Sequence, residues 1–200
     1  MDLLAFFLSQ HAAVHTSDVS GRAFAVQGVF SELSDDQMRI RPGKGLNSLV
    51  WLCWHMARTE DVAVNLVVAG RDQVLDDAWI RRINVPWRII GTGMNYDEVT
   101  EMTVNADVGA VRAYRSAVGI RTREVVQALR PDAWDELVGD EDIKRAGVTG
   151  AFRDWVEGAQ YPWLGWSRAD QLASSALRHN AGHIGEAVTI RGLAGYGPGV

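Results

Sequence analysis

Residues 167–193 read SRADQLASSALRHNAGHIGEAVTIRGL, and the spacing within this stretch decides the fold. Stepping by three or four residues from Leu172 lands on Ala176, His179, His183, Ala187 and Ile190. These positions share one face of a helix. The two histidines therefore lie on the stripe that a helix turns toward a core. They are one turn apart, so both imidazoles can reach one point in space. A helical H-x-x-x-H is a common way to hold a transition metal. Ser167, with Asp170 three residues on, makes a start resembling a capping box. The Gly-rich tail after Leu193 is expected to fray.

The rest of the chain supplies partners for this helix. Residues 3–33 carry Leu4, Phe7, His11, Val14, Ala25 and Val29 on one helical face, with Gly21 marking a kink or a close contact. Pro42, Gly43 and Gly45 punctuate a turn over 34–45. A second helix is predicted from Ser48 to Ala69, capped by Asn47 or Ser48 and ended by Gly70. Its inward stripe is Ser48, Trp51, Leu52, His55, Thr59, Val62 and Leu66. A third runs from Ala106 to Leu129 through Val111, Tyr114, Val118, Thr122 and Val125, and Pro131 closes it. Two long connections separate these helices. Residues 71–105 hold one helical patch near Asp76–Ile83, and 131–166 are rich in Trp and Gly, with a short helix expected near Ala151–Gln160. Four long amphipathic helices without a strand signal predict an all-α fold: one domain, residues 1–200, built as a four-helix bundle with long crossover connections.

Composition excludes several functions. The net charge of −5 over 200 residues gives no electrostatic footprint for nucleic acid. No apolar run approaches the roughly 20 residues that span a bilayer, and the start MDLLAFFLSQ lacks a basic region, so neither a membrane anchor nor a secretory signal is expected. Cys53 is the one cysteine, which excludes an intrachain disulfide and a thiolate zinc cluster. These features point to a soluble cytoplasmic protein. Cys53 lies about 160–200° around its helix from His55 and is flanked by Trp51, Leu52 and Trp54, so it is expected to be structural and unreactive. No G-x-S-x-G, Walker-type Gly-Lys motif or C-x-x-C occurs, and Gly91-Thr92-Gly93 is too short a signal for a nucleotide loop.

The chemistry-bearing residues are therefore the five histidines. His55, His179 and His183 fall on inward stripes of two helices. Three neutral imidazoles around a divalent ion leave a position open for water or substrate, and imidazole favours Zn, Ni, Cu or Fe over Mg or Ca. His11 and His15 form a second H-x-x-x-H near the inward face of the first helix, and on spacing alone this pair competes equally. Glu186, one turn beyond His183, suits a fourth ligand, a base or an acceptor for an imidazole N–H. Arg58 and Arg178 flank the histidines as candidate anchors for a substrate carboxylate, and Trp51 and Thr59 share the stripe of His55. Apolar residues also line a second face of two helices: Ala169, Ala173, Leu177, Ala181, Ile184 and Val188 on the last, and Val50, Cys53, Ala57, Val64 and Val68 on the second. A bundle helix needs only about three apolar positions in seven for its core, so the surplus must be covered by the long crossovers or by another subunit, and a homodimer is expected.

The segment LSDDQMRIRPGKGLNSLVWLCWHMARTED (33–61) and LRHNAGHIGE (177–186) resemble the DinB-like (DinB/YfiT) proteins: a Pro-Gly turn, an Asn-Ser helix start, a Trp and a His followed by acids, and a final-helix H-x-x-x-H. The resemblance covers nearly the whole chain in layout. It implies a four-helix bundle holding one divalent metal, with His55 as the first ligand and His179 and His183 as the pair. It places no ligand on the first helix. It also implies a thiol-dependent S-transferase or isomerase using mycothiol or bacillithiol, with a small electrophile as co-substrate and no nucleic acid as partner. A metal-dependent hydrolase and a non-catalytic metal- or ligand-binding protein are the competing expectations.

Overall fold

The computed structural model describes residues 2–22, 26–155, 158 and 161–199. Among these, all regular structure is helical apart from one isolated antiparallel bridge between Leu137 and Ser167. The helices are α1 (Leu3–Ala13), α2 (Ser17–Ser20), α3 (Val26–Ser31), α4 (Asp35–Met38), α5 (Leu49–Asp61), α6 (Asp77–Ile83), α7 (Tyr96–Asn105), α8 (Val108–Ala128), α9 (Asp140–Val148), α10 (Arg168–Leu172) and α11 (His179–Leu193). Two stretches with wider, π-type turns extend them. Val62–Val68 continues α5, and Ala173–Arg178 joins α10 to α11. A 3₁₀ turn at Pro131–Trp134 follows α8.

The chain is organised around α5. Every residue from Leu49 to Val68 is buried, because α8 packs along one side of α5, α11 along another, and α9 covers its π-type continuation. Ser48 starts it by accepting the Trp51 N–H, and Gly70 ends it in the left-handed conformation. Leu52, Trp54 and Met56 have no exposed surface, and burial of each contributes about 1.5–3 kcal/mol. A helix buried all round must also satisfy its polar residues. Asp61 accepts from Tyr114 (2.6 Å), Asn65 (2.8 Å) and the backbone N–H groups of Val74 and Leu75 (2.7 and 2.9 Å). The second apolar face of this helix is thus covered by the chain itself, and half of the surplus that predicted a dimer is used internally.

Other expectations are revised. The single helix over 3–33 is broken: α1 stops at Ala13, and α2 ends at Gly21, whose φ of 71° is left-handed. Phe7 and His11 face inward as expected, while Ala25 lies outside the described residues. The last helix is continuous from Arg168 to Leu193, and Gln171 and Ser175 are buried in it beside Leu172 and Ala176. The third helix starts at Val108, capped by Asp107 on the Ala110 N–H (2.7 Å). Three helices were not anticipated: α4, inside the expected turn over 34–45, and α7 and α9 in the two long connections. Asn95 and Glu98 close a reciprocal capping box on α7, and Asp140, Glu141 and Asp142 put three acids in the first turn of α9. Around the expected helix near 151–160, Ala151–Trp155 forms turns, and residues 156, 157, 159 and 160 lie outside the described residues. No helix among the described residues is long and apolar enough to cross a membrane.

Candidate metal centre

His55 projects from the middle of α5 and His179 and His183 from the first turns of α11, which packs beside it. One ring nitrogen from each lies within 4.8 Å of the others. The ring centroids are 4.5–4.9 Å apart, and the rings stand edge to face. The sequence stripes therefore brought together the three residues they singled out.

The outer nitrogens show which ring atoms are free. His55 Nδ1 donates to the Ile90 carbonyl, so its Nε2 carries the lone pair. His183 Nδ1 faces Glu186 Oε2 at 2.8 Å, and Glu186 Oε1 accepts from Asn47 at 2.9 Å. Glu186 thus holds the His183 ring by its far nitrogen, as carboxylates commonly do behind a metal-ligating histidine. That bond keeps the Glu186 carboxyl below its ordinary range against the effect of burial. Asn47 serves this chain of bonds, and Ser48 rather than Asn47 caps α5. His55 Nε2 and His179 Nε2 face each other at 3.1 Å, and His179 Nδ1 is buried without a partner. Two imidazole nitrogens aimed at each other, with a third ring alongside, suit a shared cation.

Electrostatics agree with that donor set. Burial pushes His55 down to about 4 despite its bond to the Ile90 carbonyl. Burial, helped by His55 and His183, pushes His179 down to about 3. Both rings are neutral at pH 7, the form that binds a metal. The three residues fit a divalent transition ion with an open position.

The surroundings separate the other candidates. Trp51 stacks on His55 with centroids 4.6 Å apart and fixes its plane. Thr59 lines a cavity of about 330 Å³ that opens at His179 and is walled by Ile90, Phe152, Tyr161 and Trp163. Arg58 does not reach the imidazoles. It is fully buried, and its guanidinium binds Asp61, Tyr114, Gln73 and the Arg88 carbonyl. Arg178 is exposed and donates to Ser174. The sequence missed Ile90 and Gly91. Gly91 has φ of 97°, and a Cβ there would lie 2.8 Å from the Trp54 ring and 3.0 Å from His55 Nδ1. The Gly-x-Gly that is too short for a nucleotide loop instead lets the backbone pass over His55. Its glycines were a visible signal, but nothing in the sequence tied them to this helix.

His11 and His15 form a different cluster. Their Nε2 atoms lie 2.9 and 3.0 Å from the two oxygens of Glu60, and Asn180 donates to Glu60 Oε2 at 2.6 Å. All four are essentially without exposed surface. Their spacing also satisfies the requirement for a metal group.

A helical bundle with three imidazoles converging between two of its central helices defines the class of protein. The profile of the DinB superfamily matches residues 25–187, and the chain belongs to that superfamily. A crystal structure described as a conserved protein from Enterococcus faecalis is similar, with a TM-score of 0.68 over 96% of this chain and 97% of that one. Its identity is 16%, so the likeness is one of fold alone. Comparison with the curated proteins returned no match.

Proposed function

We propose that His55, His179 and His183 hold one divalent ion, Zn or Ni, and that the chain, folded as one domain over 1–200, is a cytoplasmic thiol-dependent S-transferase or isomerase acting on a small electrophile. The observation that carries this reading is the convergence of three imidazoles, one of which, His179, lines a mainly apolar cavity. When bound, such an ion lowers the pKa of a thiol or a water in its open position.

The chain's own residues supply the rest. The Ile90 carbonyl keeps the His55 proton on Nδ1, Trp51 holds the ring plane, and Glu186 orients His183. Phe152, Tyr161 and Trp163 pack on one another, with Phe152 centroids 5.0 and 5.4 Å from the other two. They give the cavity an aromatic wall that would exclude water and favour an apolar electrophile over a charged one. Mycothiol or bacillithiol is the proposed thiol. The outer face of α11 and the segment before it, with Ala173 and Ala181 exposed and Leu177 half-buried, is the proposed contact of a homodimer.

Elemental analysis of purified protein, followed by an electrophile-conjugation assay with and without the low-molecular-weight thiol, tests the reading. One ion per chain and turnover only with thiol support it. Turnover that needs the metal but no thiol would replace it with a hydrolase, and stoichiometric ligand binding without turnover would replace it with a binding protein. Light scattering of a Leu177→Glu variant tests the dimer: a wild type with the mass of one chain overturns it.

A further inference from the structure

Arg115 is a buried cation without a counter-charge. It is 4% exposed, one Nη2–H reaches the Val14 carbonyl at 2.7 Å, and its Nε–H has no partner. Its guanidinium lies 5.5 Å from the centroid of Phe30. No carboxylate among the described residues stands within ion-pair distance of it. The other buried arginines are provided for. Arg58 pairs with Asp61, and Arg191 is surrounded by the carbonyls of Gly28, Val29, Tyr196 and Gly197. An unpaired charge in the interior is costly, so Arg115 calls for an anion.

Its surroundings form a place for one. Arg115 and Arg112, one turn apart on α8, line a cavity of about 280 Å³ together with Phe30, Ser31 and Ser116. Arg112 donates to the carbonyls of Phe30 and Leu33, and the exposed Asp35 lies 3.9 Å away. Asp18 also borders the cavity, but its carboxylate takes the hydroxyls of Ser116 and Thr16 rather than a guanidinium. Cys53 lies at this cavity as well. It therefore sits on the face of α5 turned away from His55, and the two cavities share no lining residue.

We propose that this second cavity binds a small organic oxyanion, a carboxylate or a phosphate ester, independently of the imidazole cluster. Two guanidiniums supply directed, charge-assisted donors for such a group, and the Phe30 ring suits an apolar substituent. The volume fits a small metabolite rather than a macromolecule.

The test is thermal unfolding of the purified chain in inorganic phosphate and, separately, in acetate, each matched in ionic strength with chloride. A saturable rise in Tm is expected, larger with the oxyanion class the site prefers. Arg115→Gln and Arg112→Gln should each weaken the apparent affinity about tenfold. Ser31→Glu, at the exposed rim, gives the cavity its own carboxylate and should raise Tm in chloride while removing the oxyanion response. His55→Ala should keep the full response. A rise that does not saturate, is equal in the arginine variants, or disappears with His55→Ala overturns the proposal, as does no rise at all. If Arg115→Gln fails to fold, Arg112→Gln and Ser31→Glu decide the outcome by the same criteria.

Discussion

Two clusters of histidine sit back to back in this bundle, and they differ in what their nitrogens do. In each, two histidines stand four residues apart in sequence, His179 and His183 on α11, His11 on α1 and His15 just past its end, and a third group comes from α5: His55 for one cluster, Glu60 for the other. Beside His55, the outer nitrogens of His55 and His183 are tied to a carbonyl and a carboxylate, while inner nitrogens face one another at the edge of a cavity. Around Glu60, the nitrogens that would serve a metal already face the carboxylate, and no surface is exposed. Asn180 adds a third donor to Glu60 and is the next residue after His179, so the closed cluster fixes α11 beside α5 where the open one needs it. Ligand spacing alone cannot tell these clusters apart. The partner of the far nitrogen and the access of solvent can.

The sharpest way to break this comparison is to remove one histidine from each side. His55→Ala should abolish stoichiometric metal binding, since two imidazoles make a weak site. His11→Ala should keep the metal and lose stability instead. Metal content measured after dialysis decides between the clusters, and equal content in wild type and His55→Ala would mean the ion sits elsewhere. On the closed side, Glu60→Ala leaves three buried N–H donors without their acceptor. A loss of about 3–5 kcal/mol is expected for breaking such a buried network, read as the shift in urea midpoint. A cost below about 1 kcal/mol would show that the cluster holds nothing together.

Acid tests the closed cluster next. Burial pushes His15 down to about 4, against the attraction of Glu60. Burial would raise Glu60, but the facing imidazoles of His15 and His11 outweigh it and hold its carboxyl well below the usual range. For His15 the unfolded chain takes up a proton as pH falls below about 6.5, while the folded chain stays neutral until about 4. Its contribution is therefore intact above 6.5, lost progressively below it, and gone near 4. The full difference is about 3 kcal/mol. Urea titrations at pH 7 and pH 5 should show a shallower fall in His15→Gln than in the wild type. Parallel curves would mean that His15 does not carry the acid response.

How much of this was legible in the sequence follows from the same contrast. Helical spacing found α5, α8 and the last helix, because burial follows the 3.6-residue period: Leu172, Ala176, Ala187 and Ile190 are all buried on the stripe that also carries His179 and His183. The DinB-like reading of residues 33–61 and 177–186 holds. The break at Gly21 was visible as a glycine but not as a helix end, and the π-type turns left no signal in the helical spacing. Arg58 was misread because a helix buried on every side has no single inward stripe. Glu60 was passed over for the same reason: its importance lies in His11 and His15, which are 49 and 45 residues away in sequence.

A smaller effect sharpens the open side. Gly91→Ala puts a methyl group against Trp54 and His55 Nδ1 at a φ of 97° that disfavours any side chain. The Ile90 carbonyl must then shift from the far nitrogen of His55. Disturbing such a bond typically costs 10–100-fold in metal affinity, and a roughly tenfold loss is expected by competition with a chromophoric chelator. Gly93→Ala, whose nearest neighbour is the flexible Arg153 side chain at 3.4 Å, serves as the control for backbone strain. Equal losses in the two variants would remove the special role of the residue over His55.

The smallest effect belongs to Cys53. Its thiol is buried on α5 beyond reach of the imidazoles, and burial pushes its pKa up, so it is held as the unreactive thiol. Cys53→Ser exchanges a weakly polar sulfur for a hydroxyl of similar shape at a fully buried position. A cost of about 1 kcal/mol is expected for a hydroxyl placed there, with metal content and any thiol-dependent turnover unchanged. The comparison makes this variant informative. Cys53 and His55 are two residues apart, yet the helix turns them roughly 200° from each other, one toward the arginine-lined cavity and one toward the metal-ligand cluster. A folded Cys53→Ser protein that keeps its metal but loses all turnover would place the reacting sulfur on the protein instead of on a diffusible thiol. A protein that loses the metal would show that the two faces of α5 are coupled through the helix itself.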